Sequence, residues 1–280
     1  MVDPRESVPR FLAQYEGNTY VEGWAKLWDR GDCLHWDKGF PNPALEETLS
    51  ERQSLLGAPV FKDQSGNWQR RKALVPGCGR GVDVLLLASF GYDAYGLECS
   101  DSAIKACNAE EARTKAMYPI RSPDIGRGSI TFVEGDFFED GWLEELGLEQ
   151  NAFDLVYDHL FFCALNPSLR STWALRQTRL LTLNGHLVCL EYPRHTNSSE
   201  LGPPWGVSSE LYLEYLSHPG MENPDSRRDT DSNGLARVAY WQPTRTHATG
   251  IDANGIVLDR VSIWRQKAEG GTASSDCLEA

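Results

Sequence analysis

The chain has no basic excess, no cysteines at metal spacing and no long apolar run, and each absence removes a class of function. Lysine and arginine total 27 against 40 aspartates and glutamates, a formal net charge of −13 over 280 residues. Binding of free nucleic acid draws most of its affinity from phosphate contacts on a basic face, so neither DNA nor RNA is an expected partner. The seven cysteines, Cys33, Cys78, Cys99, Cys107, Cys163, Cys189 and Cys277, are odd in number and nowhere spaced C-x-x-C. No zinc or redox motif follows, no metal is expected, and reduced thiols in a cytoplasmic protein are the plain reading. The N-terminal MVDPRESVPRF lacks the apolar stretch of a secretory signal. Charge breaks every apolar run before it reaches bilayer length, so no membrane association is expected. The sequon Asn197-Ser198-Ser199 is then not expected to carry a glycan.

There is also no internal repeat. One nucleotide-type unit is present, which predicts a single-domain monomer over residues 16–267, with residues 16–60 as an N-terminal extension. Residues 1–15 and 268–280 are expected to be disordered. The terminal CLEA has the outline of a prenylation box, but Glu279 stands where an aliphatic residue is wanted.

What the sequence does contain is alternation of strand and helix patterns. Strands are expected near 72–76, 93–98, 129–134, 153–158 and 185–192, with helices between them near 81–90, 101–117, 139–147 and 167–182. Ser100 and Asp101 are suitable N-caps for the second helix, Pro119 ends it, and Gly185 reads as a stop between the last helix and its strand. Short strands alternating with helices predict an α/β, Rossmann-like sandwich with a mostly parallel sheet. ARVAYWQPT and VLDRVSIWRQK, near the C-terminus, read as a late antiparallel pair at the sheet edge. GNWQ at 66–69 reads as a turn, and 218–234 as a long polar loop.

The stretch KALVPGCGRGVDVLLLASFGYDAYGLE, residues 72–98, carries the strongest signal. Gly77, Gly79 and Gly81 form G-x-G-x-G after the first strand, where residues without Cβ let the backbone approach a ligand. The dinucleotide fingerprint G-x-G-x-x-G would need glycine at Val82, so the third glycine is misplaced for a pyrophosphate. Glu98 sits where an acid can accept hydrogen bonds from two ribose hydroxyls. EGDFFED puts Asp136 and Phe137 after the third strand, where an adenine edge and face would lie. FDLVYDHLFF puts Asp158 and His159 at the tip of the fourth. Each alone has a plain structural reading, a tight turn or a helix cap. In order at four strand ends, where ligands of open α/β sheets bind, they predict a class I methyltransferase using S-adenosylmethionine.

The chain resembles the thiopurine S-methyltransferase-like proteins, and among them the thiol and halide methyltransferases, over roughly residues 20–218. The resemblance rests on Trp24, Trp28 and Trp36–Gly39 (W-x-x-x-W…W-D-K-G), on ALVPGCGRGVDV, GDFF, FDLVYDHLFFCAL and LEYP…GPPWGVS. It implies that Trp24, Trp28 and Trp36 close over the cofactor, that Gly77 meets its methionine part, and that Glu98 takes the ribose and Asp136 and Phe137 the adenine; Gly79 is expected to bind the cofactor as well. Aromatic faces suit a sulfonium because they attract cations and exclude water. Trp24 and Trp28, four apart, also fit the apolar stripe of an ordinary helix. Two departures from the family stand out. Glu98 replaces the usual Asp, and His159 stands where halide-methylating members have Tyr.

The expected acceptor is a small-molecule thiol. His159 and Asp158 are assigned to the proton-handling zone, Asp158 also to the cofactor's amino group, and Tyr192 and Arg194 to the opposite wall. Halide or thiocyanate methylation and O- or N-methylation of a metabolite stay as alternatives, with an NAD-dependent oxidoreductase and a non-catalytic S-adenosylmethionine binder behind them.

Overall fold

The computed structural model describes residues 4–31, 36–194, 202–224 and 233–267. The N-terminal extension begins with α1 (Pro4–Leu12) and α2 (Tyr20–Arg30). α2 ends at Gly31, left-handed at φ 66°. Asn42 then starts α3 (Pro43–Glu51), its side chain accepting from the Ala44 N–H at 2.9 Å, with proline at the first helical position. α4 (Gln53–Leu56) and an antiparallel hairpin of β1 (Val60–Lys62) and β2 (Trp68–Arg70) complete the extension.

The core unit follows as β3 (Lys72–Pro76), α5 (Val82–Ser89), β4 (Asp93–Glu98), α6 (Asp101–Thr114), β5 (Ile130–Glu134), α7 (Gly141–Glu145), β6 (Phe153–His159), α8 (Arg170–Leu180), β7 (Leu181–Glu191), α9 (Ser209–Ser217), β8 (Leu235–Trp241) and β9 (Arg260–Gln266). The main sheet runs β5-β4-β3-β6-β7-β9-β8. It is parallel from β5 to β7, then antiparallel where β9 joins β7 and β8 joins β9. This is the Rossmann-like sandwich with a late antiparallel pair that the alternation predicts.

Side-chain alternation divides the core between the two faces of this sheet. Ala73 and Val75 of β3, with Val188 and Leu190 of β7, pack under α3 and α5. Leu74, Leu187 and Cys189 point the other way, against Trp173 of α8 and Tyr212 of α9. α5 reads VDVLLLAS and is buried from Asp83 to Ser89, as a helix covered on both sides must be. A third cluster, Val8, Leu12, Tyr20 and Leu27, holds α1 and α2 together.

Several elements depart from the sequence expectation. Residues 4–12, expected to be disordered, form α1 because Val8 and Leu12 have α2 to bury against. α3, α4, α9 and the β1–β2 hairpin were not foreseen. The turn read at 66–69 lies at 63–67, where the Asp63 carboxylate accepts from the Ser65 and Asn67 N–H groups. α8 stops at Leu180, and β7 starts at once: Leu181 pairs with Phe153 before an irregularity resumes pairing at His186 and Leu155. Gly185 therefore lies inside β7 and stops no helix. α7 is shorter than 139–147. Of the loop at 218–234, His218 is 1% exposed, and residues 225–232 lie outside the described residues, as does the tail from 268.

Candidate active site

Strand order reverses beside β3: β4 and β5 lie on one side, β6 and β7 on the other. The connections that leave the carboxyl ends of β3 and β6 therefore run to opposite sides and open a crevice, the position where open α/β sheets bind ligands. A cavity of about 540 Å³ opens there. Its lining includes the turn after β3, the ends of β4, β5 and β6, and residues from the N-terminal extension.

The glycine turn forms one wall. Gly77 has φ 56°, and a Cβ there would stand 2.5 Å from the Phe161 ring, so no other residue fits without displacing that ring. Gly79 has φ 61° and no atom within 4 Å of where its Cβ would be, which leaves its backbone open to a ligand. Glu98, at the end of β4, is 6% exposed and accepts from the Gly79 N–H at 2.8 Å and the Cys99 N–H at 3.1 Å. Burial pushes its carboxyl up to about 7, against the pull of those two N–H donors. Oε2 also accepts from the Cys99 thiol at 3.7 Å, while Oε1 has capacity for a further donor. Asp136 follows β5 and accepts from the Phe138 N–H at 2.9 Å. Phe137 packs edge-on against Phe161 at 4.9 Å. All of these line the cavity.

Residues of the extension line the cavity as well. Trp24 and Trp36 meet edge to face at 5.5 Å, and both line the cavity with Trp28 and Tyr20. Several polar ties hold the extension to the core unit, among them the following. The Tyr20 hydroxyl donates to the Ala164 carbonyl at 2.6 Å. The Ser102 hydroxyl donates to Asp29 at 2.7 Å. Asp37 forms an ion pair with Arg80, inside the glycine turn.

The far end of the cavity is polar and titratable. His159 closes β6, with Nδ1 3.8 Å from Asp83 Oδ2. The Asp83 Oδ1 accepts from the Asn42 N–H at 3.3 Å. The His247 ring centre lies 5.7 Å from that of His159, and its Nε2 is 3.2 Å from the Phe40 carbonyl. Burial, and then the charge of His159, lower the His247 pKa. Tyr192, Thr249 and Asp259 complete this end.

Two expected site residues do not reach the cavity. Asp158 is 1% exposed and turns into the core, accepting from the Phe162 N–H at 3.0 Å and Trp173 Nε1 at 2.9 Å. Burial pushes its carboxyl up to about 6, against those two hydrogen bonds. Period-two alternation explains the outcome, because His159 and Asp158 are neighbours on one strand and face opposite ways. Arg194 donates to the buried Glu191 at 2.6 Å and to the Tyr240 hydroxyl at 3.0 Å, and so serves as the counter-ion of a buried carboxylate. Trp24, Trp28, Trp36, Gly77, Gly79, Glu98, Asp136, Phe137, His159 and Tyr192 all line the one cavity.

Sequence reasoning missed Asp83, His247 and Asp259. Asp83 is inside the quoted GCGRGVDV, in the first turn of α5, where an acid is ordinary helix chemistry. His247 and Asp259 come from the connection between β8 and β9, where nothing in spacing or composition marks them. Pro203 and Pro204 of GPPW also line the cavity.

With this geometry in hand, the likeness to known proteins is decisive. The family model of thiopurine S-methyltransferase (TPMT) matches residues 20–233. The chain belongs to the thiopurine S-methyltransferase family. Among its relatives, thiocyanate methyltransferase 1 of Brassica oleracea is 33% identical, covering 85% of this chain and 91% of that protein. A probable thiol methyltransferase 2 of Arabidopsis thaliana is 32% identical, covering 81% and 88%. Among solved structures, a 1,6-didemethyltoxoflavin-N1-methyltransferase of Burkholderia thailandensis with bound S-adenosylhomocysteine shares the fold at TM-score 0.54 and 14% identity, over 96% of this chain and 92% of that one. This family member is therefore an S-adenosylmethionine-dependent methyltransferase. The residues present fit that methyl donor: an open glycine turn, a buried acid with spare acceptor capacity, and an aromatic cover.

Proposed function

We propose that the protein methylates the sulfur of a small-molecule thiol, with Gly77, Gly79, Glu98, Asp136 and Phe137 holding the donor and His159 facing the acceptor. The observation that carries this reading is the single cavity that joins the glycine turn and Glu98 to His159. S-adenosylmethionine supplies a methyl group already activated on a sulfonium. The chain's own task is then to align the nucleophile, exclude water and take a proton.

The backbone at Gly77 and Gly79 admits the donor closely, and the Glu98 carboxylate accepts from its ribose. Phe137 and Asp136 bound the base. Trp24, Trp28 and Trp36 exclude water and present aromatic faces to a cation. A thiol with pKa near 8.5 is a few per cent ionised at neutral pH, so one well-placed proton acceptor is sufficient. His159 takes that role and Tyr192 packs the acceptor. Cys163 also lines the cavity, but burial pushes its thiol up. It stays protonated and does not act as a nucleophile.

The names of the plant relatives support a sulfur acceptor, and the thiocyanate reading has no stronger support than the thiol. The free thiols among the described residues fit the reducing cytoplasm, which is part of the same proposal. Among the described residues no helix is long and apolar enough to cross a membrane.

The test is methyl transfer from labelled S-adenosylmethionine to aliphatic and aromatic thiols, hydrosulfide, thiocyanate and iodide, with amine and phenol controls. Labelled thioether products support the proposal. Transfer only to the amine or the phenol would overturn it.

A further inference from the structure

The acceptor end has a feature that a site for preformed anions would not need. Asp83 stands 3.8 Å from His159 Nδ1, in ion-pair range and beyond hydrogen-bond range. Asp83 is 9% exposed and the His159 side chain 8%, so solvent screens the pair little. We infer that Asp83 is a positioning residue which equips His159 to deprotonate the acceptor, and that the pair selects protonated, uncharged thiols over anions such as thiocyanate and iodide. This inference rests on the S-methylation reading above.

Facing Asp83, the Nδ1 edge of His159 leaves Nε2 for the acceptor. In the step, the thiol S–H bond breaks and its proton goes to His159 Nε2. The electron pair left on sulfur forms the new bond to the methyl carbon, and the pair of the broken carbon–sulfonium bond stays on the donor's sulfur. The Asp83 carboxylate offsets the charge that the imidazole gains. The same carboxylate repels an anionic acceptor, which has no proton to give and gains nothing from a base.

The other groups around His159 fit this division. His247 faces it from the β8–β9 connection, and burial keeps that second imidazole uncharged. Tyr157 lies beside it on β6, its buried hydroxyl unpartnered among the described residues and held in the protonated form by burial. Asp158, the next residue along, spends both oxygens on Phe162 and Trp173. Asp259 lines the same cavity and accepts from the Thr246 hydroxyl, adding a second carboxylate to this end. Lys38 and Arg80 line the cavity too, but Arg80 is engaged by Asp37.

The experiment compares wild type with Asp83→Asn, which keeps an acceptor for the Asn42 N–H, using one alkyl thiol and thiocyanate. Loss of the carboxylate should lower kcat/KM for the thiol by about thirtyfold at neutral pH and move the acid limb of its profile to lower pH. The thiocyanate rate should hold or rise, and donor affinity by calorimetry should change less than about threefold. An equal fall for both acceptors would overturn the inference while leaving S-methylation intact. No transfer to any sulfur acceptor would overturn both. Should Asp83→Asn not fold, wild type alone decides: kcat/KM for the alkyl thiol should exceed that for thiocyanate at neutral pH, and the reverse order would overturn the selection.

Discussion

In the proposed assignment, the two ends of the cavity are built differently. The donor end is a run of consecutive strand ends, Gly77 after β3, Glu98 closing β4, Asp136 after β5, and it depends on backbone as much as on side chains. The acceptor end collects Asp83 from α5, His159 from β6, Tyr192 after β7, and His247 and Asp259 from the last connection. The difference teaches that the donor site is a property of the fold's topology, while the acceptor site is assembled from side chains that topology alone does not bring together.

The largest break should come from Gly77→Ala. Positive φ and a Cβ 2.5 Å from Phe161 should cost about 3 kcal/mol of donor binding, roughly a hundredfold or more in Kd by calorimetry. Asp158→Ala should separate structure from site. It leaves two buried N–H donors unpaired and should destabilise by about 2–4 kcal/mol, seen as a lower denaturant midpoint, with KM for the thiol unchanged in the folded protein. The pH dependence has a definite sign. The folded pKa near 6 exceeds the unfolded value of 3.8, so the contribution of Asp158 to stability is greatest in acid. It falls as pH rises from about 4 through 6.

Glu98→Gln should sharpen the donor half, with a smaller loss of about tenfold in donor affinity. In wild type burial pushes the carboxyl up to about 7, and the proposed ribose hydroxyls would bind its ionised form. Donor affinity should therefore rise with pH up to about 7 and level off above it, and the Gln variant should show no such rise. The smallest effect belongs to the cover. Arg80 is a third exposed and paired with Asp37, so Arg80→Ala should speed donor release only about threefold in stopped flow and shift stability by under about 1 kcal/mol.

Legibility in the sequence follows the same division. The parallel strands and the late antiparallel pair were readable because each is signalled locally by an apolar run, and the proposed donor residues carry local signals too, a glycine turn and an acid at a strand end. α3 was readable in principle from Asn42-Pro43, a helix-start signal with an apolar stripe after it, and was passed over. α1 was not, because Val8 and Leu12 are buried only by α2, a tertiary fact. Asp158 was expected at the site from its place at the tip of the fourth strand, and Arg194 was expected on the opposite wall. The strand pleat sends Asp158 to the opposite face from His159, and the buried Glu191 claims Arg194. His247 and Asp259 have no local signature at all, since only the return of the chain through β8 and β9 brings them to the cavity.

The most direct test of a cavity divided between donor and acceptor is His159→Asn, with donor affinity and thiol turnover measured on the same preparation. The account predicts S-adenosylmethionine affinity within about threefold of wild type and kcat/KM for the thiol lower by about a hundredfold. A parallel loss of both, or full thiol turnover without the imidazole, would contradict it.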